Sequence, residues 1–273
     1  MSEFFATVPT QLGANTLPHN PCKLLDFQML VLPAGKTFSA ATGDREVAAV
    51  IFGGRATFEA GGKRFEKIGG RPNVFAGKPH AVYLPAGVPY TVTADSHVEV
   101  GLCSAPSDLK TEPYVITPGQ VTAGVWGAAS FRRDYHQILT ATGQPDLPAR
   151  RLIVGETYTP GGNWSTYPPH KHEVDNLPAE AFHEEMYFFK VAPVEGFGIV
   201  RHYDRGGYEV NYTVRDNTIL MIPHGYHTYV GAPGYSSYYL WFLAGEHRTQ
   251  AVTLDPDVGW VQKTETMLRQ LGH

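Results

Sequence analysis

The chain has 273 residues and carries 22 Lys and Arg against 26 Asp and Glu, a formal net charge of −4. Its length allows one large domain or two ordinary ones of roughly 100–150 residues each, and its charge offers no basic face of the kind a phosphate backbone requires, which argues against a nucleic-acid partner. No apolar run approaches the roughly 20 residues of a membrane helix, and the N-terminal MSEFFATVPTQ has neither the basic nor the long apolar region of a secretory signal.

Cys22 and Cys103 stand far apart and outside any CxxC pair, a usage that fits a reducing cytoplasm. Glycine (29) and proline (21) are abundant and charged residues make up only 18%, a balance that suits short strands joined by tight turns rather than a helical bundle. In chain order, strands are expected at 25–32 (LDFQMLVL), 47–52, 55–59, 81–84 and 90–92. A second series follows at 151–154, 186–191, 198–203, 210–214, 218–222, 227–230 and 237–243. Turn signals separate them, among them Gly53-Gly54, Gly61-Gly62, Gly206-Gly207 and Pro223-His224-Gly225. The best helical pattern is VQKTETMLRQLG at 261–272, with Asp255-Pro256-Asp257 as its start signal.

The two halves repeat one outline: strand, Gly-containing turn, strand, tight turn, strand, then Pro-x-Gly and a further strand. A repeat of this length predicts an all-β chain of two tandem sandwich or barrel domains rather than a solenoid. The polar, Gly- and Pro-containing stretch 140–148 places the join, giving domains at 1–145 and 146–273.

Chemistry concentrates in YPPHKHEVDNLPAEAFHEEMYFFKV, residues 167–191. His170 and His172 are two apart, so an extended segment points both to one face. Glu185 opens a strand with Tyr187 and Phe189 on its own face. His227 begins another after the Pro223–Tyr226 turn, with Tyr229 on its face. If these strands line one barrel, three imidazoles and a carboxylate converge, a set that takes a divalent ion such as Zn²⁺, Mn²⁺ or Fe²⁺. An H-x-H pair alone reads as a solvated loop; the Pro-x-Gly-x-His segment some 40 residues after Glu185 strengthens the metal reading.

H-x-H, a Glu, and then P-x-G-x-H form the two-part metal signature of cupins. More closely, PHKHE…HEEMYFFKV with IPHGYHTYVGAPGYSSYYLWFLAG resembles the 5-deoxy-glucuronate isomerases of myo-inositol catabolism, two-cupin proteins, and is similar to the related 4-deoxy-5-threo-hexosulose-uronate ketol-isomerases of pectin breakdown. The resemblance spans nearly the whole chain, its specific motifs lying in 151–245. It implies two jelly-roll-like cupin domains and the ligands His170, His172, Glu185 and His227, with zinc first among the candidate ions. Glu173, Glu180 and Glu184 are rival carboxylates and His183 and His224 rival imidazoles. Glu185 is preferred because it immediately precedes the aromatic strand, as in the related isomerases.

The first half departs from the pattern. Its counterpart of the H-x-H strand, 34–42 (AGKTFSAAT), lacks histidine, and Pro89 stands where a ligand histidine would fall. Glu46 remains, but one carboxylate does not hold a metal, and His80 and His97 lie outside the expected positions. A metal-free, supporting N-terminal domain is therefore expected.

The likeness implies conversion of 5-deoxy-D-glucuronate to 5-dehydro-2-deoxy-D-gluconate through a metal-stabilised enediol. No redox cofactor is indicated, since neither a G-x-G-x-x-G after a strand nor a P-loop is present. Glu185, Tyr187 and Tyr229 are the candidate catalytic groups. Arg201, His202 and Trp164 are candidates for substrate binding; Arg201 and His202 alternate on one strand, so only one of them faces inward. Lys171, between the ligand histidines, points away from the metal. The partner expected is a small sugar acid, and the assembly a homo-oligomer. The rival readings are a metal-dependent cupin oxygenase and a non-catalytic sugar-binding bicupin.

Overall fold

The computed structural model describes residues 3–272. Met1 and Ser2, part of the stretch read above as no secretory signal, lie outside the described residues. The chain is built from antiparallel strands gathered into four sheets, with a single short α-helix, Glu265–Gln270, among the described residues. No helix there is long and apolar enough to cross a membrane. Cys22 and Cys103 are both free.

The sheets form two sandwiches. In the first, a six-stranded sheet centred on Arg45–Gly53 and Val98–Pro106 faces a four-stranded sheet of Thr37–Ala41, Pro89–Ala94, Arg55–Ala60 and Lys63–Gly69. In the second, a seven-stranded sheet centred on Glu184–Ala192 and Ser236–Ala244 faces a five-stranded sheet that holds Trp164–Lys171, Tyr226–Gly231 and Gly198–Tyr203. The strand orders match. Ala81–Leu84, Arg45–Gly53, Val98–Pro106 and Asp26–Leu32 occupy the places that Thr218–Ile222, Glu184–Ala192, Ser236–Ala244 and Ile153–Thr159 occupy in the second sandwich.

The two large sheets pack on each other. Phe27, Phe52, Met29 and Val50 meet Phe188, Phe242, Met186 and Leu240 in one buried cluster. Each large sheet is thus covered on both faces. That explains why Val98–Pro106 escaped the sequence reading: a strand buried on both faces loses the polar–apolar alternation that marks it.

The N-terminal strand Phe5–Thr7 pairs with Thr218–Ile222 of the second sandwich, while Tyr114–Ile116 pairs with Ala81–Leu84 of the first. Arg133–Leu139 and Thr122–Trp126 extend the second sandwich's large sheet, so the expected division at 145/146 falls between Arg133–Leu139 and Ile153–Thr159, which are paired neighbours.

Two buried carboxylates repeat this reciprocity. Glu46 accepts the main-chain N–H groups of Arg150, Arg151 and Leu152, and Glu184 accepts those of Lys23, Leu24 and Leu25. Each sandwich therefore holds the segment that enters the other. Without the carboxylate these amides lose their partners, and a buried orphan donor costs about 1–3 kcal/mol. Glu184→Ala is expected to lower the unfolding free energy by about 2 kcal/mol or more, measured by denaturant unfolding. A loss below about 0.5 kcal/mol would show that solvent replaces the carboxylate.

The C-terminal pattern forms a shorter helix than the sequence suggested: a 3₁₀ turn over Gly259–Thr264 precedes Glu265–Gln270. Asp255 does not cap it. Its carboxylate instead accepts Arg205, Tyr203 and the Asp257 amide.

Candidate metal centre

Alternation along Glu184–Ala192 sorts its side chains. Glu184, Met186 and Phe188 turn to the other sandwich, while Glu185, Tyr187 and Phe189 turn into their own. Glu185 lies between two strands, paired with Ile222 on one side and Leu243 on the other. Opposite, the five-stranded sheet sets His170 directly across from His227. His172 follows just beyond the end of its strand.

Four ligand atoms, one each from His170, His172, Glu185 and His227, lie within 4.8 Å of one another. Both His172 Nε2 and His227 Nε2 stand 3.1 Å from Glu185 Oε2. The His172 ring is fixed from behind, its Nδ1 donating to the His183 carbonyl at 2.6 Å, which leaves Nε2 free for the centre. A left-handed Gly225, with φ +90°, turns the chain just before His227, and its N–H donates to Glu173 at 2.6 Å. Glu173 thus ties the H-x-H segment to the Pro-x-Gly turn.

Burial alone would raise the Glu185 carboxyl, but hydrogen bonds from His172 and His227 outweigh it and hold the group well below the usual carboxylate range. Burial, and then the charges of His227 and His172, push His170 well below its ordinary value and keep it neutral. For His172 burial acts downward, yet Glu185 raises it overall. Three imidazole nitrogens and one ionised carboxylate, converging in a buried pocket, fit a divalent cation.

The rival groups are occupied elsewhere. Glu184 accepts the Lys23–Leu25 amides, Glu180 those of Glu173 and Val174, and Glu173 that of Gly225. The His183 ring donates to the His247 carbonyl. Lys171 pairs with Glu173 at 2.8 Å.

A cleft with a cavity volume of about 90 Å³ opens beside His170, His172 and Glu185. Tyr187 lines it, its hydroxyl 3.0 Å from His227 Nε2. Tyr229 does not; it is fully buried and donates to Ser237 Oγ at 2.6 Å. Arg201 faces outward, paired with Glu209 at 2.8 Å. His202 is the inward member of its pair and lies across from His227, but it donates to the His224 carbonyl and packs against Phe4, away from the cleft wall. Trp164 is 37% exposed and touches Tyr167 rather than the cleft. The wall also contains side chains the sequence reading did not single out, among them Arg133, Tyr239, Trp241 and Thr157.

Among the described residues, the first sandwich has no such centre. Val47 takes the place of Glu185, paired with Leu84 as Glu185 is with Ile222, and its interior is filled by Leu30, Phe58, Val82 and Val92.

A pair of packed β-sandwiches with one three-histidine, one-carboxylate centre among the described residues defines a tandem cupin-like protein with a candidate metal site. The chain belongs to the KduI/IolB family, whose model matches residues 9–261. It is 38% identical over 246 residues to a 5-deoxy-glucuronate isomerase of Geobacillus kaustophilus, covering 89% of this chain and 88% of that one. A Bacillus subtilis 5-deoxy-glucuronate isomerase is 35% identical over 249 residues, 90% of each chain. Among solved structures, an IolB-like protein of Salmonella typhimurium superposes with a TM-score of 0.89 at 28% identity, covering 95% of this chain and 99% of that one. An oxalate decarboxylase of Lactobacillus farciminis shares the fold, with a TM-score of 0.67 at 12% identity over 100% of this chain and 94% of that one.

Proposed function

We propose that this chain is a 5-deoxy-glucuronate isomerase, converting the aldehyde sugar acid 5-deoxy-D-glucuronate to its ketose, 5-dehydro-2-deoxy-D-gluconate, in myo-inositol catabolism. The observation that carries the reading is the convergence of His170, His172, Glu185 and His227 beside a cleft, in a chain related over 89% of its length to such isomerases.

Aldose–ketose conversion takes one proton from C2 and delivers one to C1. When bound at the four ligands, a divalent ion supplies Lewis-acid stabilisation of the negative charge that develops on the two oxygens. The protein's own groups do the rest. Burial, and then neighbouring Glu185, hold the Tyr187 phenol far above its ordinary pKa. It therefore stays protonated at neutral pH and donates to a substrate oxygen. Thr166 Oγ1, 3.4 Å from the Tyr187 and Tyr239 hydroxyls, and Ser165, bonded to Tyr239, hold these phenols in place. Glu185, where the ion holds it only loosely, is our candidate to move the proton. Zinc as the ion, a cytoplasmic location, a homo-oligomeric assembly and the division at 145/146 belong to the same reading.

Ketose formation from 5-deoxy-glucuronate tests it. Expected are equal rates in aerobic and anaerobic buffer, loss of turnover on chelation, and recovery with one divalent metal per chain. A dependence on O₂ would favour the oxygenase, and absence of ketose from metal-loaded protein would overturn the isomerase.

A further inference from the structure

We propose that Arg133 binds the carboxylate of the substrate, with Trp241 Nε1 and Thr157 Oγ1 completing an anion subsite in the wall of the cleft that His170, His172 and Glu185 also line; this assignment rests on the isomerase reading above. Arg133 opens the strand Arg133–Leu139 and lines the cleft that His170, His172 and Glu185 also line. Its guanidinium is partly buried, yet no acidic side chain pairs with it among the described residues. Nη1 donates to the main-chain carbonyls of Phe131 at 3.2 Å and Tyr167 at 3.4 Å, and Nε is buried with no partner.

Arg71, Arg151 and Arg205 pair with Glu156, Glu246 and Asp255; Arg45 and Arg248, which make no ion pair among the described residues, donate to main-chain carbonyls and do not line the cleft. Arg133 instead lies over the face of Trp126, with its ring centre 5.7 Å away, a contact that fixes the plane of the fork. Burial acts to lower its proton affinity, and an arginine stays charged regardless. A buried cation without an anion is costly, and the cost is offset when a ligand brings one.

Two further orphan groups line the same cleft. Trp241 Nε1 and Thr157 Oγ1 are buried and make no hydrogen bond. Buried polar atoms in folded proteins almost always have partners, so three unpaired groups on one wall point to a ligand that supplies acceptors. An arginine fork matches a carboxylate with two parallel N–H bonds. The substrate has its aldehyde at one end and its carboxylate at the other. Arg133 at the acid end and the four ligands at the aldehyde end would hold it in a single direction, with C1 and C2 beside Glu185 and Tyr187.

The test uses the full, metal-loaded chain and two unreactive probes: the substrate reduced at its aldehyde, which keeps the carboxylate, and the same polyol with a hydroxymethyl group in its place. Calorimetry gives the ratio of their affinities. Wild type is expected to favour the acid by about 10- to 100-fold, the range of hydrogen bonds to charged groups. Arg133→Met abolishes that preference and raises KM for 5-deoxy-glucuronate by a similar factor, with metal content unchanged and a smaller effect on kcat. Retention of the preference in Arg133→Met, or equal loss of both probes, overturns the subsite. Where that variant does not fold, the wild-type ratio decides, since equal binding of the two probes also overturns it. Acid-selective binding by a wild type that forms no ketose supports the subsite and overturns the isomerase reading. Ketose formation with an indifferent Arg133→Met does the reverse.

Discussion

Full-length His172→Ala and His227→Ala proteins are expected to fold and to lose ketose formation by about a thousand-fold or more. A metal ion contributes several kcal/mol of charge stabilisation, and each 1.36 kcal/mol is a factor of ten. Removing either imidazole takes one of only three nitrogens from the centre and one of the two hydrogen-bond partners of Glu185. The fold should survive, because none of the four ligands belongs to the apolar clusters that pack the sheets. Circular dichroism, thermal unfolding, elemental analysis and turnover are read on the same samples. His224→Ala serves as the control: this histidine sits in the same turn as His227, but it contributes its carbonyl, which any residue supplies, to the bond with His202. Full turnover by metal-free His172→Ala protein would refute the ligand role, and equal losses in the His224 variant would mark the whole effect as structural.

The reach of the sequence can be judged from single residues. Alternation placed Glu185 and Tyr187 on one face, but Glu184 stayed a rival ligand in the sequence, which could not say that it would turn away to hold the Lys23–Leu25 amides. Those bonds join residues far apart in the chain, and nothing local encodes them. The same limit hid Phe5–Thr7, a three-residue strand whose partner, Thr218–Ile222, lies in the second half. Arg201 and His202 show alternation working at the level of facing: His202 turns in and Arg201 turns out. Alternation does not report what caps an inward group, and Phe4 with the His224 carbonyl closes His202 off. Arg133 was illegible for another reason. Its strand, RDYHQIL, begins with charged and polar residues at the cleft edge, so neither hydrophobic period nor motif marks it.

Glu156→Gln is expected to destabilise the protein by about 3–5 kcal/mol, the cost of removing one partner from a buried ion pair. Both carboxylate oxygens meet Arg71 across the interface of the sandwiches, at 3.0 and 3.1 Å, while His136 and Tyr158 bond to one of them at 2.7 and 2.6 Å. Both charged partners are buried. The amide keeps one acceptor oxygen but presents an N–H₂ to the guanidinium and leaves its charge uncompensated. At roughly 2–4 °C per kcal/mol for chains of 150–250 residues, the thermal midpoint should fall by on the order of 10 °C. Burial acts to raise the Glu156 carboxyl, but Arg71, His136 and Tyr158 together hold it below its ordinary value. A lowered carboxylate contributes stability that is fully present above its unfolded pKa of about 4.3 and is lost as pH falls through the folded value. Wild type should therefore weaken progressively below about pH 4.3, and Glu156→Gln should flatten that part of the curve. In a double-mutant cycle with Arg71→Met, the second substitution should cost less than it does alone, because the orphaned charge has gone. Independent, additive losses at the two positions, or a Glu156→Gln cost below about 1 kcal/mol, would mean that the packed faces of the two large sheets hold the sandwiches together without this pair.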